Sequence, residues 1–139
     1  MTEKIKIGLM IDSTNVPYWV YTMIEKINQS NYAKIELVIV NGSEVSKNST
    51  LTKIKNNKNY FLNKIYTKLE NKIYNPELDV FTTYDLKDKL SNVKEITVIP
   101  KQTKYSDWIK PEDIKEILEN DLDVIVRLGF RILRGDILK

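Results

Sequence analysis

Residues 5–27 read IKIGLMIDSTNVPYWVYTMIEKI: an apolar run, a polar break and a segment with helical periodicity. The run Ile5–Ile11 is short and almost entirely apolar, which is typical of a strand buried on both faces of a parallel sheet. After the break at Asp12–Asn15, the apolar residues have the spacing of a helix with one buried stripe: Val16, Trp19, Val20, Met23, Ile24 and Ile27. We therefore predict a helix over residues 16–29, capped by the polar break and packed on the sheet.

The rest of the chain continues this alternation of strands and helices. Further buried strands are predicted at Ile35–Val40, Glu95–Ile99 and Leu122–Val126. Helices are predicted with an apolar face at Leu62, Ile65, Tyr66, Leu69 and Ile73, as a short turn near 85–90, from Pro111 onward, and from Arg134 to Leu138. Strands that alternate with helices indicate an α/β fold, a Rossmann-like parallel sheet with helices on both faces. We expect residues 1–139 to form a single domain.

The composition narrows the chemistry that this chain can support. Among 139 residues there is no cysteine and no histidine, which excludes disulfides, thiolate chemistry and the commonest general base and metal ligand. We therefore assign no catalytic residue and no metal ligand. A charged fraction of 29 % and a mean hydropathy of -0.37 predict a soluble protein. No segment has the length of a membrane span or the pattern of a signal peptide, so we expect a cytoplasmic location and no membrane partner.

A lysine-rich segment, Ser46–Asn75, holds seven lysines and one acid, Glu70. Interleaved tyrosines make it a candidate basic surface for RNA or another polyanion. A solvated helix face explains the same residues in a chain that is rich in lysine throughout. Since the formal net charge is only +3, we favour the solvated face and expect no nucleic-acid partner. Residues 43–60 are predicted to form a surface connection without a specific site.

In a parallel α/β sheet, ligands bind beyond the carboxyl ends of the strands, where the strand order reverses. Two segments of this kind attract attention. Asp12, Ser13, Thr14 and Asn15 follow the first strand and could bind an anion, or could simply cap the helix. The three arginines of the chain all lie within Arg127–Arg134, after the last strand. Because a guanidinium offers a rigid fork of donors, this placement suggests recognition of a planar or anionic group. Neither a G-x-G-x-x-G nor a G-x-x-x-x-G-K-[ST] motif is present.

The stretch Asp123-Val124-Ile125-Val126-Arg127-Leu128-Gly129-Phe130-Arg131-Ile132-Leu133 resembles the folate-dependent formyltransferase family. That family includes methionyl-tRNA, glycinamide ribonucleotide and sugar N-formyltransferases, and the resemblance is specific over about 15 residues. It implies a pocket for the pterin of 10-formyltetrahydrofolate, lined by Leu128, Gly129, Phe130, Arg131, Ile132 and Leu133. It also implies that Asp12, Ser13, Thr14 and Asn15 contact the formyl acceptor, a small-molecule or sugar amine. A glycine turn between aliphatic walls, exposing backbone N–H and C=O groups, suits a flat heteroaromatic ring.

The family's catalytic Asn-x-His motif and later Asp have no counterpart in this sequence, which contains no histidine. The resemblance therefore implies a truncated, N-terminal formyltransferase-like domain that is inactive alone, whereas its parent protein would move a formyl group from the folate to an amine. Two other functions fit the sequence. One is the N-terminal Rossmann-like half of a sugar-nucleotide glycosyltransferase, and the other is a small non-enzymatic binding module. The oligomeric state is left open.

Overall fold

The computed structural model of the chain describes residues 3–43, 65–66, 69 and 82–138. The chain divides into two compact units, one of Met1–Ser43 with Val80–Lys139 and one of Glu44–Asp79. In the second unit, the described residues Ile65, Tyr66 and Leu69 are helical, which agrees with the helix predicted there. The other positions of that helix, and all of the predicted surface connection 43–60 except its first residue, lie outside the described residues. The strands and the other helices belong to the first unit.

A four-stranded, all-parallel sheet forms the centre of this unit. Its strands are β1 (Ile5–Ile11), β3 (Ala33–Asn41), β5 (Lys94–Val98) and β8 (Val124–Arg127), in the order β5-β3-β1-β8. β1 lies between β3 and β8, with Ile7 opposite Val124 and Met10 opposite Arg127. All four strands predicted from apolar runs are therefore present, and the α/β, Rossmann-like fold class is confirmed.

The alternation of side chains along β1 divides the core between the two faces of the sheet. Ile7, Leu9 and Ile11 belong to one buried cluster, which also contains Val20 and Ile24 of helix α1 (Tyr18–Gln29). Met10 belongs to the opposite cluster, together with the buried residues of helix α3 (Pro111–Leu118), Ile114 and Ile117. Each face of the sheet thus buries a helix. The short helix α2 (Lys87–Leu90), predicted near residues 85–90, places its buried Leu90 in the first cluster.

Helix α1 begins two residues later than predicted, and its buried stripe is rotated. Asn15–Pro17 form strand β2, which pairs antiparallel with β4 (Thr83–Asp85). Val16 is buried from this strand instead of from the helix. Pro17 occupies the N-cap position. The buried residues of the helix are Val20 and Ile24. Trp19, predicted on the core stripe, is instead 47 % exposed because the stripe is centred one residue further along.

A second small sheet is built from three short strands, β6 (Lys101–Gln102), β7 (Ser106–Trp108) and β9 (Ile132–Arg134). β7 pairs antiparallel with β6 and parallel with β9. The helix predicted over residues 134–138 was wrong in its first half, since Arg134 ends a strand. Gly135 then adopts a φ of 89°, a left-handed conformation that glycine tolerates, and only Asp136–Leu138 form a 3₁₀ turn.

Candidate functional site

The strand order locates the site before any side chain is considered. The chain passes from β1 to β3 to β5 on one side, and β8 then lies on the other side of β1. The direction of strand addition therefore reverses between β1 and β8. In open parallel sheets, the crevice beyond the carboxyl ends of two such strands is the usual ligand site. Asp12 follows β1 at this place, and the turn Leu128–Arg131 follows β8.

One carboxylate oxygen joins the carboxyl ends of three adjacent strands. Asp12 Oδ1 accepts a hydrogen bond from the backbone N–H of Phe130 at 2.8 Å and one from Asn41 Nδ2 at 2.9 Å. Asn41 is the last residue of β3, and its own Oδ1 accepts from the backbone N–H of Ser43. Asp12 thus fixes the turn after β8 and the end of β3 relative to β1. Asp12 and the predicted cofactor turn, far apart in sequence, are in direct contact.

Gly129 is required by close approach and not by its φ. The backbone N–H groups of Leu128 and Gly129 both donate to the carbonyl of Met10 at 2.8 Å, which presses the turn against β1. A Cβ on Gly129 would lie 2.7 Å from the carbonyl carbon of Ile11 and 2.8 Å from Cγ of Asp12. The left-handed residue of the turn is Phe130, with a φ of 64° and a buried side chain.

The backbone donors of this turn are used inside the protein. The N–H of Arg131 donates to Asp107 Oδ2 at 2.7 Å, in addition to the bonds made by the three preceding residues. Arg127 Nη1 donates to the carbonyls of Phe130 and Arg131 at 3.1 and 3.0 Å. The expectation that the turn offers its N–H groups to a ligand is therefore wrong for Leu128–Arg131.

Asp107 is a buried acid that the sequence did not indicate. Its side chain is fully buried, and its Oδ1 lies 3.0 Å from Arg131 Nε and 2.8 Å from Arg131 Nη2. Arg131 Nη1 also donates to the carbonyl of Thr103. The guanidinium of Arg131 thus joins β7 to the start of β9. This ion pair gives Arg131 a structural role, because a buried carboxylate needs a charged partner.

The residues of the first loop, Asp12 to Asn15, contact two different parts of the fold. Asp12 reaches the turn after β8, but Ser13 Oγ bonds to the carbonyl of Asn15 at 3.0 Å. The carbonyl of Thr14 accepts from the N–H of Leu86 at 2.9 Å, and Asn15 pairs with Asp85. The first N–H of α1, on Tyr18, is taken by the carbonyl of Thr82 at 2.8 Å. Of the four predicted acceptor-binding residues, the structure brings only Asp12 to the cofactor turn. Thr14 and Asn15 do not cap the helix.

A cavity of about 420 Å³ lies beside β8. The side chains that line it come from β1, β8, β9 and the 3₁₀ turn: Met10, Ile125, Arg127, Ile132, Leu133, Ile137 and Leu138. Its walls are mainly aliphatic, and among the described residues that line it only the exposed Arg127 is charged. Ile132 and Leu133, two of the six predicted cofactor-binding residues, belong to it. The volume falls within the range of roughly 300–1,000 Å³ that is usual for small-molecule sites.

The described residues hold no group of three or more acidic side chains that could bind a metal ion. None of the helices described here has the length and apolar character needed to cross a membrane. No protein-family model, curated protein or solved structure matches the chain. The geometry of the crevice is therefore the basis on which a function can be proposed.

Proposed function

We propose that this chain is the folate-binding, N-terminal part of a formyltransferase, which moves a formyl group from 10-formyltetrahydrofolate to an amine. The observation that carries the proposal is the aliphatic cavity beside β8, one of the two strands between which the strand order reverses. The resemblance of residues 123–133 to the family covers β8, the turn and the first half of β9. Two of the six residues that the resemblance assigns to the pterin, Ile132 and Leu133, line this cavity.

The pterin ring would lie between the aliphatic side chains of Ile132 and Leu133 and the Ile125 side chain on β8. The polar edge of the ring needs backbone partners, and the turn 128–131 has committed its N–H groups elsewhere. In the described part of the chain β9 is an edge strand of its sheet, and alternate backbone groups of Ile132–Arg134 point away from β7. These groups are the donors and acceptors that we assign to the pterin edge.

The formyl acceptor would approach from the side of Asp12. Asp12 Oδ1 accepts hydrogen bonds from Phe130 and Asn41, so an acceptor amine would pair with Asp12 Oδ2. No histidine is available to manage the protons of formyl transfer. The chain itself therefore binds the folate and positions the acceptor, and the proton-transfer groups belong to the rest of the parent enzyme. A cytoplasmic location, where folates are used, belongs to the same proposal.

Calorimetric titration with 5-formyltetrahydrofolate, a stable analogue, tests the proposal. Ile132→Asp places a charge on the cavity wall at a residue that is 56 % exposed, so folding should be preserved. Leu118→Asp is the matched control, because Leu118 is 69 % exposed on α3 and does not line the cavity. We expect at least a tenfold loss of affinity in Ile132→Asp and less than a twofold change in Leu118→Asp. Absence of binding by the folded wild-type chain, or equal binding by both variants, would contradict the proposal.

A further inference from the structure

One edge of β8 is unpaired among the described residues. In the part of the chain that the structure describes, β8 pairs with β1 on one side and ends the sheet on the other. Val124 is 45 % exposed there, although it belongs to a strand of four mostly apolar residues. An exposed apolar sheet edge favours pairing with another strand.

The hydrogen bonds to β1 show which backbone groups face outward. The N–H of Asp123 donates to the carbonyl of Lys6 at 3.0 Å, so residue 123 points toward β1. Backbone direction alternates along a strand, so Ile125 and Arg127 also point toward β1. The N–H and C=O groups of Val124 and Val126 therefore point to the open edge.

The sequence of this edge is complementary to itself. When two copies of Asp123-Val124-Ile125-Val126-Arg127 run antiparallel about a two-fold axis at Ile125, Asp123 of each lies opposite Arg127 of the other. The outward-facing residues then meet as well, because Val124 of each copy lies opposite Val126 of the other. Such a pair exchanges two N–H···O=C bonds, and the two pairs make four. An axis shifted to Val124 or Val126 would place Asp123 opposite Ile125 or Gly129 and not opposite Arg127.

The side chains of Asp123 and Arg127 have atoms that can pair across the two-fold axis. Asp123 Oδ2 is bonded to the N–H of Lys6 at 2.7 Å, and Oδ1 is the oxygen that we assign to the second copy. Arg127 Nη1 donates to the carbonyls of its own turn, and we assign Nε and Nη2 of Arg127 to the second copy. Opposite charges placed directly across an antiparallel pair stabilise it.

We propose that the open edge of β8 binds the same edge of a second copy of this chain, forming a homodimer with one continuous eight-stranded sheet. Residues directly opposite across the axis share a face, so the two Ile125 side chains meet on the side of the sheet that carries the cavity. Leu138, which is 68 % exposed at the cavity, supplies further apolar area near the axis. A ligand of the cavity and the second copy would both contact Ile125, and the dimer proposed on the edge of β8 does not require the ligand.

Sedimentation equilibrium of the full chain measures the association, and we expect a species of twice the 16.3 kDa chain mass. Val126→Pro removes an outward-facing N–H from each copy and should weaken the dimer at least tenfold. Glu95→Pro is the matched control on β5, the opposite edge strand. The bond from the N–H of Gly42 to the carbonyl of Val98 directs Val98 toward β3, so Glu95 faces outward. This control should leave the dimer intact. A monomeric wild type, or a dimer lost only in Glu95→Pro, would overturn the proposal.

A cysteine scan tests the register and keeps the proposal testable if Val126→Pro does not fold. The chain has no cysteine, so any disulfide reports the introduced residue alone. Opposing residues of a non-hydrogen-bonded antiparallel pair have Cα atoms about 4.5 Å apart, within disulfide range. Ile125→Cys should therefore form a cross-linked dimer on mild oxidation, and Val124→Cys should cross-link at least tenfold more slowly. Equal rates for the two variants would exclude an axis at Ile125.

Discussion

Asp12 Oδ1 and the backbone N–H of Phe130 are joined by a 2.8 Å hydrogen bond across 118 residues of sequence. The same oxygen accepts from Asn41, so one carboxylate determines how β1, β3 and the turn after β8 meet. The strength of this contact can be measured separately from any ligand.

Replacing Asp12 by alanine should destabilise the fold by about 1–3 kcal/mol, because the part-buried Phe130 N–H loses its acceptor. Asp12→Asn is the control, since the amide oxygen can accept the same two bonds. We expect Asp12→Asn to lose less than half of that free energy of unfolding in urea titrations. Equal losses in the two variants would mean that the charge of Asp12, and not its acceptor geometry, stabilises the turn.

Gly129→Ala should cost about 1–3 kcal/mol of unfolding free energy, because the new Cβ would overlap the backbone of Ile11 and Asp12. Backbone atoms held in a sheet cannot move aside as a side chain can. Gly8→Ala is the comparison, since its Cβ meets Cδ1 of Leu122, the end of a flexible side chain, at 2.7 Å. We expect Gly8→Ala to be the milder change. A Gly129→Ala variant as stable as the wild type would show that the turn is not pressed against β1.

The sequence predicted the central sheet because its strands are apolar on both faces. β1 was predicted with its observed bounds, Ile5–Ile11, and its neighbour β8 was placed to within two residues at its start. The same reasoning missed β2, β4, β6, β7 and β9. Strands of two or three residues are too short to show a period, and their pairing depends on contacts with distant segments.

The candidate site was predictable only where strand order decides the contact. Asp12 and the Gly129 turn follow neighbouring parallel strands, so their meeting could be expected. Asp107 could not be found in this way, because nothing in Ser106-Asp107-Trp108 distinguishes a buried acid from an exposed one. Arg131 did indicate a planar or anionic partner, because arginine is rare in this lysine-rich chain. That rarity suggested a ligand, whereas the planar partner is a carboxylate of the same chain.

Arg131→Met should destabilise the protein by about 3 kcal/mol, because it leaves the carboxylate of Asp107 buried without its cation. This is the lower end of the usual range, since the Arg131 side chain is itself 37 % exposed. Arg134→Met is the control, because Arg134 is exposed at the end of β9, and we expect a change within about 0.5 kcal/mol. Denaturant titration measures both. An Arg131→Met variant as stable as the wild type would contradict the stabilising role of this ion pair.

The pair formed by Lys6 and Asp121 gives the fold a pH-dependent contribution. Lys6 Nζ lies 2.7 Å from Asp121 Oδ2. This hydrogen bond lowers the pKa of Asp121 below its ordinary value of 3.8, and the same bond raises the pKa of Lys6 above 10.5. A lowered folded-state pKa means that the contribution of Asp121 is present above 3.8 and is lost as the pH falls through the folded value. The contribution of Lys6 is present below 10.5 and is lost as the pH rises through its raised pKa.

Asp121→Asn isolates this contribution, because asparagine tolerates the φ of 47° at residue 121. We expect the variant to have a lower thermal midpoint than the wild type at pH 7, by a small amount because Asp121 is largely exposed. The difference should shrink as the pH falls through the lowered folded-state pKa of Asp121, where the wild-type carboxylate also becomes neutral. Circular dichroism melts across this range measure it, with Glu116→Gln, an exposed acid on α3, as the control. A difference between wild type and Asp121→Asn that stays constant from pH 7 into acid would show that the backbone conformation, and not the ion pair, is what Asp121 provides.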